Sequence, residues 1–98
     1  VKDERYRPVR KLAVRVIDGR AVMLTIADSK LHRLNETATR IWSRIESGEA
    51  VSEMVDGLCR EFAVSREQAE RDVTTLLHDL LARGIVAPAV DEPAEAPR

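Results

Sequence analysis

At Asn35 the spacing of apolar residues changes from the alternation of strands to the three-and-four spacing of helices, and this switch confines the chain to an α+β fold. Before the switch, Leu12, Ala13, Val14, Arg15, Val16 and Ile17 form a run rich in β-branched side chains, which pack well on a pleated surface. Asp18-Gly19 follows, a pair that accepts the left-handed backbone of a two-residue hairpin loop. Residues 21–26 supply the returning strand, and Ala27, Asp28 and Ser29 a second turn. A short third strand is expected over residues 30–34, with the charged side chains that suit an exposed sheet edge.

After the switch, Asn35 is placed to cap a helix, because its side-chain oxygen can accept from the first unpaired N–H groups. Ala38, Ile41, Trp42 and Ile45 then recur at i, i+3, i+4 and i+7, and Ser47-Gly48 ends the stripe. Trp42 on that stripe is expected in the core. A second helix is expected to start at Ser52 as N-cap and to align Met54, Val55, Leu58 and Phe62. Ser65 and Gln68 have the spacing of a capping box, with Val64 and Ala69 at the flanking apolar positions. The third helix aligns Ala69, Val73, Leu76, Leu77, Leu80 and Leu81, and Gly84 supplies the left-handed residue after its end. Ile85 then folds back on Leu80, and Ile85-Val86 can add a short final strand. The expected architecture is a three-stranded antiparallel sheet followed by three helices, winged-helix-like.

The 98 residues suffice for one domain, expected over residues 12–87 between a basic N-terminal arm (1–11) and a disordered acidic, proline-rich tail (88–98). Sixteen Lys and Arg against 17 Asp and Glu leave a formal net charge of -1, which disfavours a nucleic-acid partner. No apolar run approaches the roughly 18 residues of a membrane span, and a cytoplasmic location is expected. The single Cys59 excludes an internal disulfide and a cysteine-based zinc site. His32 and His78 stand apart without further ligands and are expected at the surface, so no metal or other cofactor is expected. Asp72 and Asp79, two turns apart, suit a solvated helix face better than a catalytic cleft. The four glycines are isolated, which excludes a phosphate-cradling loop. No nucleophile has its base and orienting group, so an enzyme is not expected.

The segment Leu34-Asn35-Glu36-Thr37-Ala38-Thr39-Arg40-Ile41-Trp42 resembles the signature of the PqqD-like family, named for coenzyme PQQ synthesis protein D. The resemblance continues through residues 51–58, Glu70-Arg71-Asp72-Val73, Leu76-Leu77, Leu80 and Gly84-Ile85-Val86. It implies a leader-recognition domain that binds the leader of a ribosomally made precursor peptide. The domain then presents that leader to a modifying enzyme, often a radical SAM protein. It further implies that the peptide adds as a strand beside the third strand, against the third helix. The candidate peptide-binding residues are Lys30, Leu31, His32, Arg33 and Leu34 on the strand, and Asp72, Val73, Leu76, Leu77 and Leu81 on the helix.

Strand addition needs unpaired backbone groups and a side pocket, and a short edge beside a wide apolar helix supplies both. At 100° per residue, Ala69, Val73, Leu76 and Leu80 centre the core face of the third helix. Leu77 and Leu81 flank it on one side, Asp72, Asp79 and Arg83 on the other, and the sequence leaves either flank open to border the groove. The alternative is a winged-helix DNA-binding regulator, whose helix would enter the major groove. Glu67, Glu70, Asp72 and Asp79 offset Arg66, Arg71 and Arg83 on that helix and weigh against it.

Overall fold

In the computed structural model, residues 4–9 and 11–89 are described. The element order is β1 (Tyr6–Pro8), β2 (Leu12–Ile17), β3 (Arg20–Thr25), β4 (Lys30–Arg33), α1 (Glu36–Glu46), α2 (Val51–Phe62), α3 (Arg66–Ala82) and β5 (Val86–Pro88). Strands β2, β3 and β4 form the expected antiparallel sheet in that order. Asp18 (φ 53°) and Gly19 (φ 77°) both take positive φ, as a two-residue loop matched to strand twist requires. The loop sets Ile17 opposite Arg20 and, further along, Leu12 opposite Thr25.

A second, two-stranded sheet pairs β1 with β5, Tyr6 opposite Pro88 and Pro8 opposite Val86. Part of the expected arm is thus a strand laid against the end of the helical unit, and Pro88 belongs to a strand as well. Residues 90–98 of the expected tail, and 1–3 and 10 of the arm, lie outside the described residues.

One core joins the three-stranded sheet to the helices. Ala21 and Met23 from β3 meet Ile41, Trp42 and Ile45 from α1, Met54, Val55 and Leu58 from α2, and Ala69, Val73, Leu76, Leu77 and Leu80 from α3. Full burial of each large aliphatic side chain stabilises the fold by about 1.5–3 kcal/mol. Thr39 fastens β3 to α1: its hydroxyl accepts from the Ala21 N–H at 2.8 Å and donates to the Asn35 carbonyl at 2.8 Å. The exposed large hydrophobics among the described residues, Val16, Ile17, Leu24, Ile26 and Leu31, all lie on or beside this sheet.

The helix ends follow local chemistry, with two departures. Asn35 Oδ1 accepts from the Ala38 N–H at 2.8 Å, as expected of an N-cap. Helix α2 begins two residues earlier than expected: Ala50, not Ser52, is its N-cap, and Glu53 reaches back to accept from the Ala50 N–H at 2.7 Å. A residue without a capping side chain serves here because the acid at the third helical position satisfies the backbone donor. Ser65 Oγ accepts from the Gln68 N–H at 3.1 Å, but the Gln68 side chain turns along the helix and donates to Asp72 Oδ1 at 2.9 Å. Ser65→Ala is expected to lower stability by about 0.5–2 kcal/mol; an unchanged denaturation midpoint would remove the cap from the account. At the other end of α3, Gly84 takes φ 73°, its N–H donates to Leu81 and that of Ile85 to Leu80. That pair of bonds satisfies two terminal carbonyls and buries Ile85 completely.

Gly57 has a different reason for being glycine. The guanidinium of Arg44 lies over its α-carbon, where a Cβ would collide with it, while Glu49 (3.3 Å) and Glu61 (3.2 Å) hold the same group. Gly57→Ala would normally gain about 1 kcal/mol of helix propensity. Here the gain is expected to be smaller, because the flexible guanidinium end of Arg44 must shift from its place between Glu49 and Glu61; a thermal midpoint raised by the full propensity gain would contradict this packing.

Candidate functional site

The three-stranded sheet has two edge strands, β2 and β4; β4 is the one whose His32 reaches the end of α3, and its pairing with β3 fixes the direction of every backbone group on it. Leu24 faces Leu31 and Met23 faces His32, and the Leu34 N–H donates to the Ala21 carbonyl at 2.9 Å. Amides alternate in direction along a strand, so the N–H and C=O of His32 also point at β3. Those of Leu31 and Arg33 point away from it. No other strand pairs with β4 among the described residues, so this outward row is open to a further strand.

Beyond the edge stands α3. His32 projects inward and is only 8% exposed, contrary to the surface position expected for it. Both ring nitrogens are engaged: Nδ1 lies 3.0 Å from Arg83 Nη1, and Nε2 lies 3.2 Å from Thr25 Oγ1. The Thr25 hydroxyl in turn donates to Asp28 Oδ1, and this bond is the main cause that holds the Asp28 carboxyl below the ordinary carboxylate range. Arg83 Nε donates to Asp79 Oδ1 at 2.9 Å, so a polar chain runs from the β3–β4 turn to the last turns of α3.

Next to this chain a groove of about 540 Å³ opens between the start of α1 and α3, lined by Asn35, Thr37, Ala38, Ile41, Arg71, Asp72, Thr75, Leu76 and Asp79. Ala38, Ile41 and Leu76 supply apolar surface. Asp72, Arg71 and Asp79 supply charge of both signs on the α3 wall. The small Thr37 and Ala38 leave the α1 wall low.

The candidate residues divide on this geometry. Lys30, Leu31 and Arg33 are exposed along the edge, with Leu31 and Arg33 on the outer face of the sheet. Leu34 is 8% exposed and joins the core at the end of the edge. Asp72 and Leu76 line the groove. Val73, Leu77 and Leu81 are not brought to it. Val73 is wholly buried in the core, and Leu81 packs half-buried against that core. Leu77 turns to the opposite side of α3, beside Glu4, Tyr6, Val51, Thr74 and His78. The flank bordering this groove is therefore the one carrying Asp72 and Asp79, while Leu77 on the other lies beside Tyr6 and Val51. Sequence reasoning did not find the α1 wall or Thr75. The one available signal was the run of small residues after Asn35, which suits a low wall as well as it suits helix packing.

The family model for coenzyme PQQ synthesis protein D (PqqD) matches residues 20–86. The chain belongs to the PqqD family. The PqqD match runs from the first residue of β3 to the first residue of β5, and so contains β4, all three helices and the groove. Two solved structures share the fold. TbiB1 in complex with the TbiA(beta) leader peptide is 28% identical, with a TM-score of 0.80 over 87% of this chain and 99% of that one. A lasso peptide synthetase B1 complexed with the leader peptide is 29% identical, with a TM-score of 0.78 over 85% of this chain and 98% of that one. No curated protein is significantly similar to the chain. No helix among the described residues is long and apolar enough to cross a membrane.

Proposed function

We propose that this chain is a non-catalytic peptide chaperone of the cytoplasm, which binds the leader of a ribosomally made precursor peptide by strand addition to β4. It then presents that peptide to a modifying enzyme, a radical SAM protein being the type its family suggests. The observation that carries this reading is the outward row of N–H and C=O groups at Leu31 and Arg33, open beside the groove between α1 and α3. A leader laid there gains main-chain hydrogen bonds irrespective of its sequence, and alternate side chains enter the groove, where sequence is discriminated. The two relatives complexed with leader peptides, which this chain matches over most of its length, support a leader peptide as the ligand.

The groove is suited to recognition. Its polar groups are carboxylates, guanidinium, hydroxyls and one amide, spread along two walls. A DNA-binding role is less well supported, because the exposed surface of α3 mixes Glu67, Glu70 and Asp79 with its arginines. Of those arginines, Arg66 and Arg83 are already paired with Asp56 and Asp79.

The test is titration with the leader of the precursor encoded beside this gene, followed by amide chemical shifts. Shifts are expected at Leu31, His32 and Arg33 and along the Asp72–Asp79 flank of α3. Shifts confined to α2 or the N-terminal residues would refute the site. Affinity should change little between low and moderate salt, whereas a contact driven by several phosphates loses roughly 10³–10⁵ over the same range.

A further inference from the structure

The chain of polar side chains between β4 and α3 has only one consistent direction. A guanidinium carries donors and no acceptor, so the His32 Nδ1 that faces Arg83 Nη1 at 3.0 Å must offer its lone pair. The ring proton is then on Nε2, which donates to Thr25 Oγ1, and Thr25 passes its own hydrogen to Asp28. Both ring nitrogens of His32 are thereby used. Arg83 is not fully used. Of the five N–H donors of a guanidinium, one serves Asp79 and one serves His32, and the other three have no protein acceptor among the described residues. The side chain is 48% exposed, yet it is held at two points and so is pre-aimed beside the edge strand.

We infer that Arg83 is a specificity-determining residue that receives a carboxylate from the bound peptide, at the peptide residue facing His32. This rests on the strand-addition reading and sharpens it. Because the His32 amide and carbonyl are spent on β3, a residue of an added strand opposite His32 sits at a non-hydrogen-bonded pair. There, side chains on the same face stand roughly 4.5–5.5 Å apart at Cβ. That face is the one on which His32 meets Arg83. An Asp or Glu at this position reaches the unused N–H groups, and a planar guanidinium binds a carboxylate better than any neutral acceptor. Asp79 occupies only the Nε edge of this arginine; it shares the single guanidinium charge, so the peptide carboxylate is received through the free Nη donors.

The next inward-facing residue, two positions along toward Asn35, falls over Ala38, Ile41 and Leu76 and should be apolar. The peptide motif is therefore an apolar residue and an acid two apart: apolar first if the strand runs antiparallel to β4, acid first if parallel.

The experiment is selection of displayed random peptides on the full chain, on Arg83→Gln and on Arg83→Glu, with folding checked by circular dichroism. The wild type should enrich Asp or Glu two residues from an apolar position. Arg83→Gln should lose that enrichment and bind the selected acidic peptides roughly tenfold or more weakly. Arg83→Glu should shift the same position to Lys or Arg, a reversal that a merely structural arginine would not produce. Wild-type binders with no acidic preference, or a preference that survives Arg83→Glu, would overturn the assignment of Arg83 while leaving strand addition standing. An empty wild-type pool would overturn both.

Discussion

Leu31→Pro is expected to abolish leader binding with the fold kept, and His32→Pro to damage the fold itself. The two positions are adjacent, and only the direction of their N–H groups separates them. Proline deletes that N–H and is tolerated in a strand only where it is not used by a neighbour. At Leu31 the N–H points away from β3, and its 56% exposed side chain leaves the core untouched. The bound peptide would lose one hydrogen bond, about 0.5–1.5 kcal/mol, and leave a carbonyl unsatisfied at a further cost of about 1–3 kcal/mol. Affinity should thus fall by roughly 10- to 1000-fold. At His32 the N–H is spent on β3, and the substitution also removes the ring that links Thr25 to Arg83. His32→Ala keeps the amide and serves as the control that separates backbone from side chain. Far-ultraviolet circular dichroism and peptide titration on the three variants give the check. If Leu31→Pro binds normally, the peptide does not add at this edge.

Trp42→Ala should unfold the domain. The side chain is 2% exposed among residues of all three helices and β3. Truncation of so large a core residue costs about 3–5 kcal/mol, which removes all or nearly all of a stability of about 5 kcal/mol, the low end of the usual range and the one expected of so small a domain. In the folded wild type the fluorescence maximum should lie well to the blue of exposed indole; emission like that of free tryptophan would contradict the burial. Trp42→Phe offers a finer test. The indole Nε1 is buried without a hydrogen-bond partner among the described residues, and such a donor is itself a cost of about 1–3 kcal/mol. Phenylalanine removes it along with some contact area, so this variant should remain folded and lose far less stability than Trp42→Ala.

What the sequence by itself determined was local or periodic. The hairpin at Asp18-Gly19, the caps at Asn35, Ser65 and Gly84, and the apolar stripes around Trp42 and Leu76 depend on neighbours within a turn or a strand. They were legible for that reason. The family signature at residues 34–42 was legible too, because it spans one strand end and one helix start. The α2 start was misplaced because Ser52 has the right chemistry for a cap, and only the reach of Glu53 to Ala50 shows which residue serves.

Tertiary structure alone decided the site. Whether Leu31 or His32 turns its amide outward depends on the register of β4 on β3, and a shift of one residue would exchange them. Which flank of α3 borders the groove depends on what covers the other. Tyr6 of β1 and Val51 of α2, distant in sequence, lie beside Leu77, leaving Asp72 and Asp79 open to the groove. His32 looked like an ordinary surface histidine because nothing near it in sequence foretells Arg83. The fold brings together two residues 51 positions apart, and the guanidinium is aimed beside the edge strand only once they meet.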